Sequence, residues 1–232
     1  MAMIEVAYEL RNDCSYMIAS QENEPGDGWE YDNWLENFIA SDLSVSNLLK
    51  SVVDGYAERY IQYSGCTLSA IDLSKVDDFM SAYNSFCNTL YSGITTASIQ
   101  SDVRDAFWDA EYFWSSETGG DHNIDIWSFA DVIQKNLNIA DTQAGAVKTA
   151  VDNLVIEEWH NTGHPGAKGL NIHNLYVYSD YSYTHWKSYT SGYPAAFPVS
   201  FVNNSQWRGT YDSSSGGITG PGLIYRVWFH LF

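Results

Sequence analysis

Basic residues are scarce in this sequence. Its 232 residues include 11 lysines and arginines against 29 aspartates and glutamates, which gives a formal net charge of −18 at pH 7. A surface of this charge repels nucleic acid and anionic membranes, so we expect neither as a partner. A cationic ligand would be attracted, although on charge alone an acidic soluble surface without a specific partner is the more common interpretation.

Cysteines and long apolar runs are also few. Cys14, Cys66 and Cys87 make an odd number without C-x-x-C spacing, so neither a disulfide framework nor a zinc site is indicated. Each is expected to be a small buried apolar residue. The chain has no run of 18 apolar residues and does not open with a signal-peptide pattern, so no transmembrane helix is predicted.

Several common catalytic signatures are missing from the sequence. It has no G-x-S-x-G nucleophile elbow, no G-x-G-x-x-G and no Walker motif. None of the three cysteines lies in a predicted loop beside a base, so we expect no nucleophile within this chain. Glu157 and Glu158 are adjacent and point in different directions on a helix, so a paired-carboxylate glycosidase site is only weakly indicated.

Two histidines have a spacing that resembles a zinc site. His160 and His164 are four residues apart, as in H-E-x-x-H. However, Gly163 lies between them and Pro165 follows, so the two imidazoles cannot share one helix face. We therefore expect no metal at this place.

Hydrophobic periodicity predicts an α/β protein with a mostly parallel sheet and helices on both faces, because helices separate the strands. Ser44 and Ser74 are predicted helix caps. The first helix starts without a cap, which predicts that the chain is part of a longer protein. Helices are predicted at 1–13, 31–41, 44–63, 75–93, 98–114, 126–138 and 141–161, and strands at 15–20, 66–74 and 167–178. Residues 222–232 are either a last strand or the start of a further segment.

The loop after the first predicted strand places one carboxylate between two glycines. In "ENEPGDGW", Gly26 and Gly28 flank Asp27. Such an aspartate could form the floor of a pocket for a cation, and bidentate binding of a guanidinium is its strongest use. An Asx-turn, in which Asp27 bonds its own loop backbone, is the alternative that the residues alone favour.

Several separate motifs resemble the clostripain family of cysteine endopeptidases. The most specific is "MAMIEVAYELRNDCSYMIASQENEPGDGWEYDNWL" at 1–35, and "TLSAIDLSKV", "IDIWSFADVI", "GLNIHN" and "FVNNSQW" support it. Together they cover about residues 1–212, which we interpret as the C-terminal part of such a peptidase domain. Residues 213–232 are left as an unassigned extension or last strand.

This resemblance implies a caspase-like α/β fold and cleavage of peptides after Arg or Lys. The catalytic Cys and His of the family are expected upstream of this chain, so the chain alone is expected to be inactive. Asp27 is then the acidic residue of the S1 pocket, with Gly26 and Gly28 shaping its loop. Ser20 and Gln21, at the end of the preceding strand, are expected to form a wall on which the substrate backbone pairs.

The resemblance also suggests partners and a location. Expected partners are peptides or proteins with Arg or Lys at P1 and an N-terminal chain of the same peptidase. No cofactor is required, although calcium dependence is known in the family, and the expected location is secreted or in the cell envelope. One alternative is a non-catalytic binding module derived from this fold. A third interpretation is a carbohydrate-binding protein that uses the Trp- and Tyr-rich segment 176–211.

Overall fold

A computed structural model describes residues 2–40, 44–115, 121–174, 200–207, 210–212, 217–219, 222–223 and 226–227. The helices are α1 (Ile4–Leu10), α2 (Tyr31–Ala40), α3 (Val45–Tyr60), α4 (Val76–Gly93), α5 (Ala97–Asp109), α6 (Ile126–Asn136), α7 (Asp141–Leu154) and α8 (Ser200–Asn204). The strands are β1 (Tyr16–Ala19), β2 (Thr67–Asp72), β3 (Tyr112–Ser115), β4 (Asp121–Asp125), β5 (Val155–His160), β6 (Asn171–Asn174), β7 (Thr210–Asp212) and β8 (Gly217–Thr219).

The strands form small antiparallel sheets. Their orders are β1-β2-β5, β3-β4-β6 and β7-β8, and every pair of neighbouring strands runs antiparallel. A parallel contact within the described residues is the isolated bridge between Met3 and Asn171. The prediction of a protein built from both helices and strands is therefore confirmed, whereas the described strands do not form the predicted mostly parallel sheet with helices on both faces. The prediction assumed that each helical connection leads to a parallel strand. However, α2 and α3 connect β1 to β2, and these two strands are antiparallel.

Helix starts agree with the sequence at one predicted cap and differ at the other. The Ser44 side chain accepts a hydrogen bond from the Asn47 amide and caps α3, as predicted. At the next site Asp72 is the cap. Its carboxylate accepts from the Ser74 amide at 3.0 Å and opens a short 3₁₀ turn, Leu73–Lys75, that leads into α4.

Aromatic side chains fill the larger of two apolar clusters. It lies among α4, α5, α6 and α7, and its fully buried rings include Phe79, Tyr83, Phe86, Phe107, Phe129 and Trp207. The Trp207 indole also donates to the His173 carbonyl at 3.0 Å, which ties the segment after α8 to β6. The smaller cluster lies between α3 and the β1-β2-β5 sheet.

The cysteine predictions are confirmed at two of three positions. Cys66 and Cys87 are buried, and burial raises the pKa of both thiols. Cys14 is exposed, just after α1, so the prediction that it is buried was wrong.

The C-terminal segment and the aromatic-rich segment are described only in part. The Arg226 amide donates to the Gly222 carbonyl at 3.1 Å, a helical spacing, so the last strand considered for 222–232 is not formed at these residues. Residues 175–199, most of the predicted carbohydrate-binding segment, lie outside the described residues. Among the described helices, none combines the length and apolar character needed to cross a membrane.

Candidate functional site

The candidate site lies at one edge of the β1-β2-β5 sheet. Because these strands are antiparallel, the end of β1, the start of β2 and the end of β5 meet at the same edge. The segments that leave this edge are 20–30, which we call the site loop, 61–66 and 161–170. They are bonded together, since the Tyr60 hydroxyl donates to the Gly28 carbonyl at 2.5 Å and the Gly65 amide donates to Asn161 at 3.0 Å.

Ser20 and Gln21 form the root of the site loop. They are only 2% and 3% exposed, and their polar groups are bonded within the chain. The Ser20 hydroxyl and the Gln21 amide each lie 2.9 Å from the Thr67 hydroxyl. The Gln21 side chain donates to Asp125 at 2.9 Å and accepts from the Gly169 amide at 2.8 Å. The root of the loop is therefore fixed inside the protein.

The first described residue of the chain lies beside this root. The Ala2 amide donates to the Ser20 carbonyl at 2.7 Å, and the Ala2 carbonyl accepts from the Asn171 amide at 2.9 Å. The Asn171 side chain donates to the Gln21 carbonyl at 3.1 Å. The carbonyls of Ser20 and Gln21 thus have partners within the chain, and their pairing with a substrate backbone stays a prediction.

Asp125 is a buried carboxylate that sequence reasoning did not assign to the site. It is 0% exposed and caps α6 by accepting from the Ser128 amide at 2.8 Å, while its other oxygen accepts from Gln21 and from the Lys168 amide. Burial raises its pKa to about 6, even though these three hydrogen bonds act in the opposite direction. The aspartate directly before a helix is a signal for a cap, but a single sequence does not reveal the contact with Gln21.

Asp27 lies at the exposed tip of the site loop. The Gly28 amide donates to the Pro25 carbonyl at 3.2 Å and closes a turn, in which Gly28 has a φ of +73°. Only glycine adopts such a backbone conformation without strain. The Asp27 side chain is 65% exposed, so it lies on the surface of the site and not at the bottom of an enclosed pocket. Gly26 has open space around it.

Arg59, in the last turn of α3, faces this carboxylate. Its Nη2 lies 3.9 Å from Oδ2 of Asp27, while Nη1 pairs with Glu30. Its Nε donates to the Tyr60 hydroxyl at 3.1 Å. Tyr60 in turn holds Gly28, so the end of α3 supports both the tip of the site loop and the guanidinium beside it.

His164 lies between two carboxylates from different parts of the chain. Its Nδ1 is 2.9 Å from Glu111, before β3, and its Nε2 is 3.4 Å from Glu22, in the site loop. The imidazole is 13% exposed and packs on Phe113, with ring centroids 4.7 Å apart. Burial alone would lower its pKa, but hydrogen bonds and charge from Glu111 and Glu22 outweigh burial and raise the pKa to about 9.

The two histidines with zinc-like spacing therefore contact different carboxylates. His160 lies 2.9 Å from Glu158 on its own strand, away from the carboxylates that hold His164. Within the part of the chain that the structure describes, there is no group of three or more His, Cys, Asp or Glu side chains that could hold a metal ion.

The sequence motifs indicate a binding loop at 20–30, but they do not indicate the side chains that hold this loop in place. Arg59, Glu111, Asp125 and His164 each act through a partner at least 29 positions away in the chain. The "HPG" turn was a visible signal for a loop at 162–166. It did not indicate which carboxylates the loop contacts.

A model of the clostripain family matches residues 1–213 of this chain. Among curated proteins, no significant match was found.

Solved structures with a similar backbone are proteases. A clostripain from Bacteroides thetaiotaomicron in complex with a peptide inhibitor is 16% identical with a TM-score of 0.53, and the match covers 74% of this chain and 73% of that one. An inactive zymogen of a C11 protease from Parabacteroides distasonis is 15% identical with a TM-score of 0.56, and the match covers 81% and 53%. A secreted C11 cysteine protease from Bacteroides thetaiotaomicron, in complex with an irreversible peptide inhibitor, is 17% identical with a TM-score of 0.56, and the match covers 84% and 56%.

At these identities the likeness is one of fold. This chain spans about half the length of the second and third of these structures.

Proposed function

Since this chain belongs to the clostripain family, we propose that it supplies the substrate-binding side of a cysteine endopeptidase that cleaves after Arg or Lys. The observation that carries the proposal is the placement of Asp27. It is an exposed carboxylate on a glycine-flanked turn, and the root of that loop is buried directly beside Ala2. The family match supports the reaction class, and the exposed carboxylate of the site loop supports the proposed preference for a cation.

The charges around Asp27 suit a monocationic side chain. Asp27, Glu30 and Arg59 together carry two negative charges and one positive charge, so the cluster has one uncompensated carboxylate charge. Asp27 is the more exposed of the two carboxylates, at 65% against 31% for Glu30. A charge-assisted contact with Asp27 is the interaction that a P1 Arg or Lys would make.

We propose that the nucleophile of the complete enzyme lies just before Met1. Cys66 and Cys87 are buried with raised thiol pKa values, which is the environment of an unreactive cysteine. In the complete enzyme, the thiolate attacks the peptide carbonyl and the C–N bond breaks. A histidine protonates the leaving amine, and water then hydrolyses the thioester. Asp27 selects the substrate and takes no part in proton transfer.

Ser20 and Gln21 remain in the proposed substrate-binding region. Because both are buried and bonded to Thr67, and the Ser20 carbonyl also accepts from the Ala2 amide, we assign them to holding the site loop next to the reacting residue. Pairing of a substrate strand with their backbone remains a further proposal. We also propose export from the cell, since one protease of similar fold is described as secreted. Calcium dependence stays a prediction.

A non-catalytic binding module that recognises basic peptides is the alternative function. It would use the same exposed carboxylate and would differ only in lacking a nucleophile. The residues encoded directly upstream of Met1 separate the two functions, because a cysteine there supports the peptidase. Cleavage of a fluorogenic peptide with Arg at P1 by the whole protein, measured as kcat/KM, is the matching activity test.

Binding to the chain itself tests the role of Asp27. The probe is Nα-acetyl-arginine methylamide, followed through the amide resonances of Gly26 and Gly28, with the norleucine analogue as the uncharged control. We expect Asp27→Asn to weaken binding of the arginine probe at least tenfold, because one charge-assisted contact is lost. Asp77→Asn is the matched control, since Asp77 is also an exposed aspartate paired with an arginine. Equal binding by wild type and Asp27→Asn would rule Asp27 out as the S1 acid.

A further inference from the structure

Arg59 is held from two directions before it reaches Asp27. Glu30 pairs with its Nη1, and the Tyr60 hydroxyl accepts from its Nε at 3.1 Å. The side chain is 31% exposed, so it is a partly buried and anchored guanidinium. Asp27, by contrast, is 65% exposed on a turn. In this pair the cation is the fixed member, and the carboxylate is open to solvent.

The contact between them is close enough for charge but too long for a hydrogen bond. The Nη2 atom of Arg59 lies 3.9 Å from Oδ2 of Asp27, beyond the range of about 2.7–3.2 Å for a hydrogen bond between N–H and O. Within the described residues, Arg59 supplies the one basic group within 4.0 Å of this carboxylate. An arriving cation can therefore reach Asp27 without first breaking a hydrogen bond to Arg59, but it must tolerate a neighbouring positive charge.

This arrangement makes the two oxygens of Asp27 unequal. A substrate guanidinium binds a carboxylate best as a fork that uses both oxygens. At Oδ2 such a fork would approach the Arg59 guanidinium, and like charges repel. An ammonium group is a point charge that needs only one oxygen and can stay on the Oδ1 side.

We propose that Arg59 is a specificity-determining residue, whose anchored guanidinium limits the affinity of Asp27 for cations and makes the site accept Lys nearly as well as Arg. This inference rests on the proposed function, because it takes Asp27 as the residue that binds the P1 side chain. It would explain why the proposed enzyme cleaves after both Arg and Lys. It also assigns Glu30 the role of neutralising and holding Arg59.

Opposite effects of two substitutions in the same ion pair test the inference. Arg59→Gln removes the repelling cation, so both the acetyl-arginine and acetyl-lysine methylamides should bind about threefold to tenfold more tightly, the arginine probe gaining more. Glu30→Gln leaves Arg59 charged and without its neutralising partner, so both probes should bind more weakly. If Arg59 and Glu30 only maintain the shape of the site, both Arg59→Gln and Glu30→Gln should bind the probes more weakly.

Three further variants keep the outcomes distinct. Arg11→Gln removes another arginine that is paired with an exposed aspartate, and it should leave both affinities unchanged. Arg59→Lys retains the positive charge, so its affinity for both probes should stay near that of wild type. If Arg59→Gln does not fold, Arg59→Lys takes its place. Tighter binding by Arg59→Lys would then contradict the inference. If Asp27→Asn abolishes binding while Arg59→Gln changes neither affinity nor the Arg-to-Lys ratio, the inference is wrong and the proposed function stands. If Asp27→Asn binds both probes as wild type does, the proposed role of Asp27 and the inference fail together.

Discussion

Replacement of His164 by glutamine removes a positive charge from between two carboxylates. In the native protein the imidazole lies 2.9 Å from Glu111 and 3.4 Å from Glu22. Glutamine can still donate a hydrogen bond, but it cannot neutralise either carboxylate. Because Glu22 belongs to the site loop and Glu111 precedes β3, the substitution weakens the link between the two sheets.

The size of the effect follows from the pKa of His164. It rises from an ordinary value of 6.5 to about 9 in the folded protein. A raised pKa means that the native state holds the proton more tightly, so the stabilisation is complete below pH 6.5 and is lost as pH rises through 9. With about 1.4 kcal/mol per pKa unit, the free energy of unfolding should fall by roughly 3 kcal/mol in His164→Gln at pH 5.5 and by about 2.5 kcal/mol at pH 7. Near pH 10 the two proteins should differ little.

Urea unfolding followed by circular dichroism at pH 5.5, 7 and 10 measures these differences. His160→Gln is the matched control, because His160 contacts a single carboxylate, Glu158, which also lies 3.8 Å from the Lys168 ammonium. The control should change stability less. A difference between wild type and His164→Gln that is the same at pH 5.5 and pH 10 would show that folding does not raise the pKa of His164.

Two other predictions concern close packing and a buried acid. An added Cβ at Gly163 would lie 2.5 Å from the Gly65 nitrogen, so Gly163→Ala should lower the free energy of unfolding by about 1 to 3 kcal/mol in urea titrations. Gly26→Ala, which has open space, should change it by less than about 1 kcal/mol, and equal effects would contradict the close contact. The pKa of Asp125 is raised to about 6, so its contribution to stability should decrease as pH rises from about 4 to 6. Asp125→Asn should lack this decrease, and an identical pH profile of urea midpoints would refute it.

Much of the helical structure was predictable because its signals are local. The periodicity of α3, α4 and α6 placed these helices within a few residues, and Ser44 was correctly identified as a cap. Strand β5 was missed because apolar residues continue at helical spacing from α7 into Val155, and because all six residues of β5 are half-buried, without the alternation of a strand. Strand β4 was not predicted because its buried side chains include Asn123 and Asp125, and these residue types are more typical of loops than of strands.

The site was predictable only as far as the motifs reached. The glycines around Asp27 indicated a turn, and the family resemblance indicated a binding loop. Periodicity could not show that Arg59 would lie beside Asp27, because helix α3 ends there only after the chain has folded back over the sheet. The same holds for His164, whose two carboxylates come from segments 53 and 142 positions away.

The two backbone hydrogen bonds of Ala2 limit how far a residue shortly before it in the chain can move. Its amide and carbonyl are both held, one by Ser20 of the site-loop root and one by Asn171 of the second sheet. Successive Cα atoms are 3.8 Å apart, so a residue two positions before Ala2 has its Cα within about 8 Å of the Ala2 Cα. A reactive side chain at that position would be on a short tether with one end fixed, and its distance from the site loop could vary by only a few ångströms. Under the proposed function, the residue that cleaves the bond would therefore be held at a nearly fixed distance from the loop that selects the substrate, because only two peptide units separate it from Ala2.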